Sequence, residues 1–234
     1  PPEELLEGPL DNLYERRGSE QVLAAFKTFF DGTDGVQDAY LSMLHRLAIH
    51  LKDRPYVAGI EIFNEPVADT LEVLQFSALA IETIHEADPN QLVLFEPTST
   101  RNLFDETDPM GGLKLPLTAY APHLYPEVFS GAGNNFANGD ITRLVESTSK
   151  AREESDAHDA PLFVTEYGLD PKATNAMLWI ETMEAEMDRA HASRYFWVYE
   201  ELEQDRWGLY DEGRVLREDL ASWLARPYPA AIDG

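Results

Sequence analysis

The chain has 234 residues, 44% hydrophobic and 11% aromatic, which excludes a disordered or low-complexity polymer and allows one substantial core. Asp and Glu number 43 against 18 Lys and Arg, and the resulting net charge of -25 repels phosphate backbones and anionic membrane surfaces, so nucleic acid is not an expected partner. With no cysteine there is neither a disulfide framework nor a thiolate metal site, and redox chemistry leaves the compartment open. No apolar run approaches the roughly 20 residues that span a bilayer, so no stable membrane insertion is expected. The start, Pro1-Pro2-Glu3-Glu4, lacks the positive charge of a signal peptide.

Residues 1–35 carry scattered Pro and Gly and read as a loop-rich entry with a short helical stretch at Gln21–Phe30. From Val36 to Leu51, Val36, Tyr40, Met43, Leu44, Leu47, Ala48 and Leu51 recur at helical spacing, and Lys52-Asp53-Arg54-Pro55 stops the helix. Val57–Phe63 is a short β-branched apolar run ending in Asn64-Glu65-Pro66, a buried strand. A helix over Thr70–Ala87 and a strand over Gln91–Phe95, ending in Glu96-Pro97, repeat the pattern. Further strands are predicted at Leu117–Tyr125, Pro161–Thr165 and Arg194–Tyr199, with helices near Ile141–Ser155 and Asn175–Ala192.

Strand alternating with helix predicts a parallel α/β sheet. Polar residues gather at the C-terminal end of each strand: Asn64 and Glu65, Glu96, His123 and Tyr125, Glu166, Trp197 and Glu200. In a (β/α)₈ barrel that end is the active face. A doubly wound open sheet is the alternative, but neither Gly-rich phosphate loop that would announce it is present.

Glycosidic-bond cleavage needs one carboxylic acid to protonate the leaving oxygen and a second carboxylate to attack the sugar or activate water. Glu65, after Ile60-Glu-Ile-Phe-Asn64, and Glu166, after Leu162-Phe-Val-Thr165, are the two strand-end glutamates in the best contexts. Asn-Glu-Pro alone is a weak signal; the second glutamate and the aromatic surroundings carry the inference. Glu96 and the Glu200-Glu201 pair compete on position, with Glu96-Pro97-Thr98 reading equally as a helix entry. His45, His50, His85, His158 and His191 lack metal-ligand spacing and read as surface or packing residues, so no metal and no other cofactor is expected. His123, beside Tyr125 at a strand end, is the exception. Trp179 and Trp223 read as core, whereas Trp207 before Gly208 reads as either core or site.

Gly59-Ile-Glu-Ile-Phe-Asn-Glu-Pro66, His123-Leu-Tyr125, Thr165-Glu-Tyr-Gly168 and Phe196-Trp-Val-Tyr199 resemble glycoside hydrolase family 5, over most of residues 36–212. The resemblance implies a (β/α)₈ barrel domain with residues 36–226 as its later five β/α units, within one catalytic domain over 1–234. It implies Glu65 as acid/base, Glu166 as nucleophile, Asn64 near the sugar 2-hydroxyl, His123 and Tyr125 beside the pair, and Trp197 as a sugar platform. Glu200 is a candidate partner for sugar hydroxyls.

Trp207-Gly-Leu-Tyr-Asp211 and Leu224–Gly234 resemble the endoglycoceramidase-like branch more narrowly. That implies a β-glycoside or glycolipid substrate, a secreted parent, a missing N-terminal barrel segment, and a β-sandwich beyond the Pro227-Tyr-Pro229 segment. Two other readings stand beside it: a catalytically silent carbohydrate-binding or decayed piece, and a β-glucanase or mannanase.

Overall fold

A computed structural model describes residues 18–106, 112–129, 136–200 and 207–226. The first half of the entry segment, Glu201, and the Pro227-Tyr-Pro229 segment lie outside them. The chain divides into two compact units. Unit 1 takes residues up to Asn102, Glu106–Ala121 and Ser155–Pro161; unit 2 takes Leu103–Asp105, Pro122–Glu154 and Leu162 onward.

Unit 1 opens with α1 (Glu20–Asp31), whose first turn is capped by the Ser19 hydroxyl accepting from Val22 N–H, and which stops at Gly32 in the left-handed conformation. Helix α2 (Val36–Leu51) and strand β1 (Ile60–Glu61) follow. Next come α3 (Thr70–Ala87), started by an Asp69/Glu72 capping box, and β2 (Val93–Phe95). A short helix, α4 (Ser99–Phe104), and β3 (Thr118–Tyr120) complete the series. The sheet order is β1-β2-β3, all parallel, with Ile60 opposite Val93 and Phe95 opposite Tyr120.

Phe26, Phe29, Phe30, Tyr40, Phe63 and Phe76 form one aromatic cluster with ring centroids 5.1 to 6.5 Å apart. It joins α1, α2 and α3 to the end of β1. Tyr40 OH donates to Ile62 C=O at 2.9 Å, tying helix to strand terminus. Of the seven apolar positions predicted on α2, only Leu44 and Ala48 are buried, and Val36 and Met43 stand exposed; a helix packed along one narrow seam needs no wider stripe. His158 packs against Phe95 and Tyr120 while its Nδ1 accepts from Leu113 N–H at 2.7 Å, a structural role.

Unit 2 holds β4 (His123–Leu124), most of α5 (Thr142–His158), β5 (Phe163–Tyr167), α6 (Ala176–Arg189), β6 (Ser193–Phe196) and α7 (Glu218–Leu224). Its sheet order is β4-β5-β6, again parallel. Trp179 on α6 is fully buried, as predicted for core, and donates to Pro126 C=O at 2.8 Å. Buried Glu184 of α6 accepts from Tyr167 OH and from Arg194, whose Nε and Nη2 reach the same oxygen at 2.9 and 2.7 Å. Among the described residues no helix is long and apolar enough to cross a membrane.

The strands are shorter or shifted against the expected runs, β1 to Ile60–Glu61 and β6 to Ser193–Phe196, and other details depart as well. The run Leu117–Tyr125, predicted as one strand, divides into β3 and β4 in separate sheets. Pro122 lies at the break, and with no N–H it cannot continue a ladder. Helices α4 and α7 are short enough to escape a periodicity reading.

Burial raises the Tyr40 phenol above its ordinary value of 10.0. The folded chain therefore holds that proton more tightly than the unfolded one. Its contribution to stability is complete below 10.0 and fades as pH rises past it toward the folded value. Urea melts across the alkaline range should show a steeper loss of stability in the unaltered chain than in Tyr40→Phe; equal slopes would show that this phenol is not coupled to folding.

Candidate active site

In unit 1, the backbone enters the candidate region through Gly59. A Cβ there would lie 2.5 Å from Leu94 Cδ1, which would have to move, and 3.1 Å from Leu92 C=O, so glycine eases the close approach of β1 to β2. Ile60 and Ile62 donate to Leu92 and Leu94 C=O at 3.0 and 3.1 Å, which carries the ladder to the threshold of Asn64-Glu65. Glu65 then takes a left-handed conformation, φ 43°, and is buried. That conformation is sparsely populated by residues with a Cβ and persists only where surroundings over-determine it.

The support comes from Glu96, at the end of β2. Its Oε2 accepts Glu65 N–H at 3.0 Å and Asn102 Nδ2–H at 2.7 Å, and the carboxylate is 2% exposed. Sequence reasoning treated Glu96 as a rival for the chemistry. Its geometry is that of a brace: it holds the backbone of Glu65, and Asn102 on α4 holds it in turn. Asn64 is exposed beside this turn.

In unit 2, parallel register sets the arrangement. His123 lies opposite Glu166 and Leu124 opposite Tyr167, so His123 and Glu166 share a face. Tyr125, two residues after His123, returns to that face. Both reach one carboxylate oxygen: Tyr125 OH donates to Glu166 Oε2 at 2.9 Å, and His123 Nδ1 lies 3.3 Å from it. His123 is 1% exposed, whereas the Glu166 side chain remains 17% exposed.

Glu166 does not follow β5, as the run Pro161–Thr165 suggested; it lies inside it. Between β5 and β6 the register shifts, with Val164 opposite Arg194 but Tyr167 opposite Phe196. This bulge inserts one extra residue, so Thr165 and Glu166 are both half-buried while Val164 and Tyr167 are both buried. Alternation unbroken by the bulge would have sent Glu166 to the opposite face.

Trp197 follows β6, is 42% exposed, and its N–H donates to Tyr167 C=O at 2.9 Å. The Trp197–Val198 peptide is cis. Gly168 makes this approach possible, since a Cβ there would meet Trp197 C=O at 2.5 Å. Glu200 forms an ion pair with Arg214, Nε to Oε1 at 2.9 Å. Trp207, left between core and site by the sequence, is buried against Tyr125 and Phe129. The structure thus gathers His123, Tyr125 and Glu166 in one unit and sets Glu65 on Glu96 in the other.

The chain belongs to the Cellulase family, glycosyl hydrolase family 5, whose model matches residues 20–202. Among solved structures, a crystal structure of an endogalactoceramidase is similar with a TM-score of 0.69 and 25% identity, covering 79% of this chain and 42% of that one. Endo-glycoceramidase II from Rhodococcus sp., solved as a lactosyl-enzyme intermediate, gives a TM-score of 0.81 at 19% identity over 97% of this chain and 54% of that one. Thermotoga maritima Cel5A, in complex with mannotriose, gives 0.67 at 17% identity, over 84% and 69%. The fold is of the (β/α)₈ barrel type, and the chain spans about half the length of the ceramidase structures it matches. No curated protein matches it by sequence.

The two buried carboxylates that brace the candidate residues should be felt in stability. Glu96→Ala strands the Glu65 and Asn102 donors and is expected to cost about 1–3 kcal/mol in urea unfolding. Glu184→Ala strands the Tyr167 phenol while Arg194 keeps Asp188 as a carboxylate partner, and it too should cost about 1–3 kcal/mol. Changes within experimental error for either would remove that carboxylate from the framework of the site.

Proposed function

We propose that this chain carries the catalytic glutamates of a retaining β-glycoside hydrolase, with Glu166 as nucleophile and Glu65 as acid/base. The observation that carries the reading is the Glu166 carboxylate, held by Tyr125 OH and His123 in a chain of the family 5 glycosyl hydrolases. A nucleophile needs an ionised, fixed carboxylate, and donors converging on one oxygen favour both.

In the first step the Glu166 carboxylate attacks the anomeric carbon and the bond to the leaving oxygen breaks, while the Glu65 carboxyl delivers its proton to that oxygen. In the second, Glu65 as carboxylate takes a proton from water, the water oxygen bonds to the anomeric carbon, and Glu166 leaves as the free carboxylate. Two inversions give net retention. Tyr125 keeps the carboxylate oriented through both. The exposed indole of Trp197 offers an apolar platform for a sugar face, and Asn64 and Glu200 are assigned to hydroxyl recognition.

As the narrower substrate class we propose a glycolipid, from which the intact glycan is released. Support comes from the likeness to an endogalactoceramidase and to endo-glycoceramidase II, together with the Trp207–Asp211 motif. A polysaccharide β-glucan or mannan is the competing class, in line with the likeness to Cel5A. A chain that binds sugar without turning it over is the remaining reading, and turnover by the unaltered chain decides it.

The test uses aryl β-glycosides and a fluorescent glycosphingolipid, with azide as an external nucleophile. Glu166→Gly should be inactive and yield the α-glycosyl azide when azide is added, since azide then attacks the β-substrate directly. Glu65→Ala should lose about 10²–10⁴-fold on poor leaving groups and yield the β-glycosyl azide from the glycosyl-enzyme. Tyr125→Phe should lower kcat about 10- to 100-fold, the worth of a hydrogen bond to a charged group. The opposite azide anomers would exchange the two roles; sugar binding with no turnover in the unaltered chain would establish the binding reading.

A further inference from the structure

The turn that carries Glu65 is held at both of its ends by one short segment of chain. On the near side, Glu65 N–H donates to Glu96 Oε2 at 3.0 Å; on the far side, Pro66 C=O accepts Ser99 N–H at 2.8 Å. Glu96 follows β2 and Ser99 opens α4, so the two contacts come from residues only three apart. Asn102, three residues further along α4, reaches back to the same Glu96 oxygen with its Nδ2–H at 2.7 Å.

Glu65 needs this support. It holds a φ of 43°, which a residue with a Cβ keeps only where its surroundings impose it. Glu96 and Asn102 are both buried, so a carboxylate oxygen accepting two N–H groups there is a fixed point that water does not replace. Releasing the Glu65 N–H frees rotation about φ and swings the Cα–Cβ bond, and with it the carboxyl group. An acid/base tolerates little swing, because the proton moves only within hydrogen-bond reach of the leaving oxygen.

Resting on the reading of Glu65 as acid/base, we propose that Glu96 is a positioning residue for that proton transfer, acting through the Glu65 backbone with Asn102 as its anchor. Glu96 exchanges no proton with the substrate. Its contribution therefore scales with how much the leaving group depends on Glu65: phenoxide needs the proton, whereas dinitrophenolate departs without it. Loss of folded protein or of sugar binding would instead slow both substrates alike.

The experiment measures kcat/KM, scaled to the folded fraction, for phenyl and dinitrophenyl β-lactosides and β-cellobiosides. Glu96→Ala should lower the phenyl value about 10- to 100-fold and the dinitrophenyl value less than about 3-fold, the scale of loss expected from a misplaced reacting group. Glu96→Gln, whose carbonyl oxygen still accepts both N–H groups, should recover most of the phenyl loss. Asn102→Ala, which leaves the Glu65 N–H bonded, should show a smaller loss of the same selectivity and carries the comparison if Glu96→Ala does not fold. In a Glu65→Ala background the Glu96→Ala change should add nothing further, since residues that act through one another are not additive. Equal loss on both leaving groups, no recovery in Glu96→Gln, or a full additional loss in the Glu65→Ala background overturns the proposal and leaves Glu65 as acid/base. Glu65→Ala without leaving-group selectivity, or no turnover of either sugar by the unaltered chain, overturns the reading of Glu65 and this inference with it.

Discussion

Parallel strand register is the constraint from which the candidate chemistry of unit 2 follows. In a parallel ladder, residues opposite one another share a face, and every second residue along a strand returns to it. With His123 opposite Glu166, the histidine, Tyr125 and the carboxylate have to meet. The one irregularity is the bulge between Val164 and Tyr167, which carries Glu166 to the face where its donors are. A bulge costs a ladder hydrogen bond and persists because what surrounds it is satisfied: Tyr167 by buried Glu184 and Arg194, and Trp197 N–H by Tyr167 C=O.

Buried carboxylates do structural work in both units. Glu96 holds the left-handed turn at Glu65, and Glu184 gathers Tyr167, Arg194 and, at 3.5 Å, Arg226. Donors converge on one oxygen of Glu96, and at Glu184 the Arg194 guanidinium offsets the charge, the condition under which burying an ion is tolerated. The acidic composition therefore has two unlike parts, a solvated outer surface and a few enclosed carboxylates that shape the site. Glu166 differs from these braces in that its side chain remains partly exposed.

Aromatic residues divide in a similar way. In unit 1 the phenylalanine cluster secures three helices to the end of β1, and its one polar member, Tyr40, binds the strand terminus directly. In unit 2 the rings of Phe129, Trp207 and Tyr125 form a wall whose polar edge faces the candidate nucleophile. Trp197 stands exposed beyond β6.

Periodicity and punctuation made the order of elements legible in the sequence. The alternation of helix and strand, the terminating Asp-Pro and Asn-Glu-Pro signals, and the gathering of polar residues at strand ends are all local properties, and they determined the parallel α/β class and the pool of candidate residues. Tertiary structure alone decided what each member of that pool does. Glu96 and Glu166 each follow an apolar run in the sequence, yet one is enclosed as a brace and the other is partly open, because burial and donor convergence depend on residues far along the chain. The break at Pro122 and the bulge at Glu166 depend on which strand lies alongside. A sequence records which donors and acceptors exist; only the packed chain decides which of them meet.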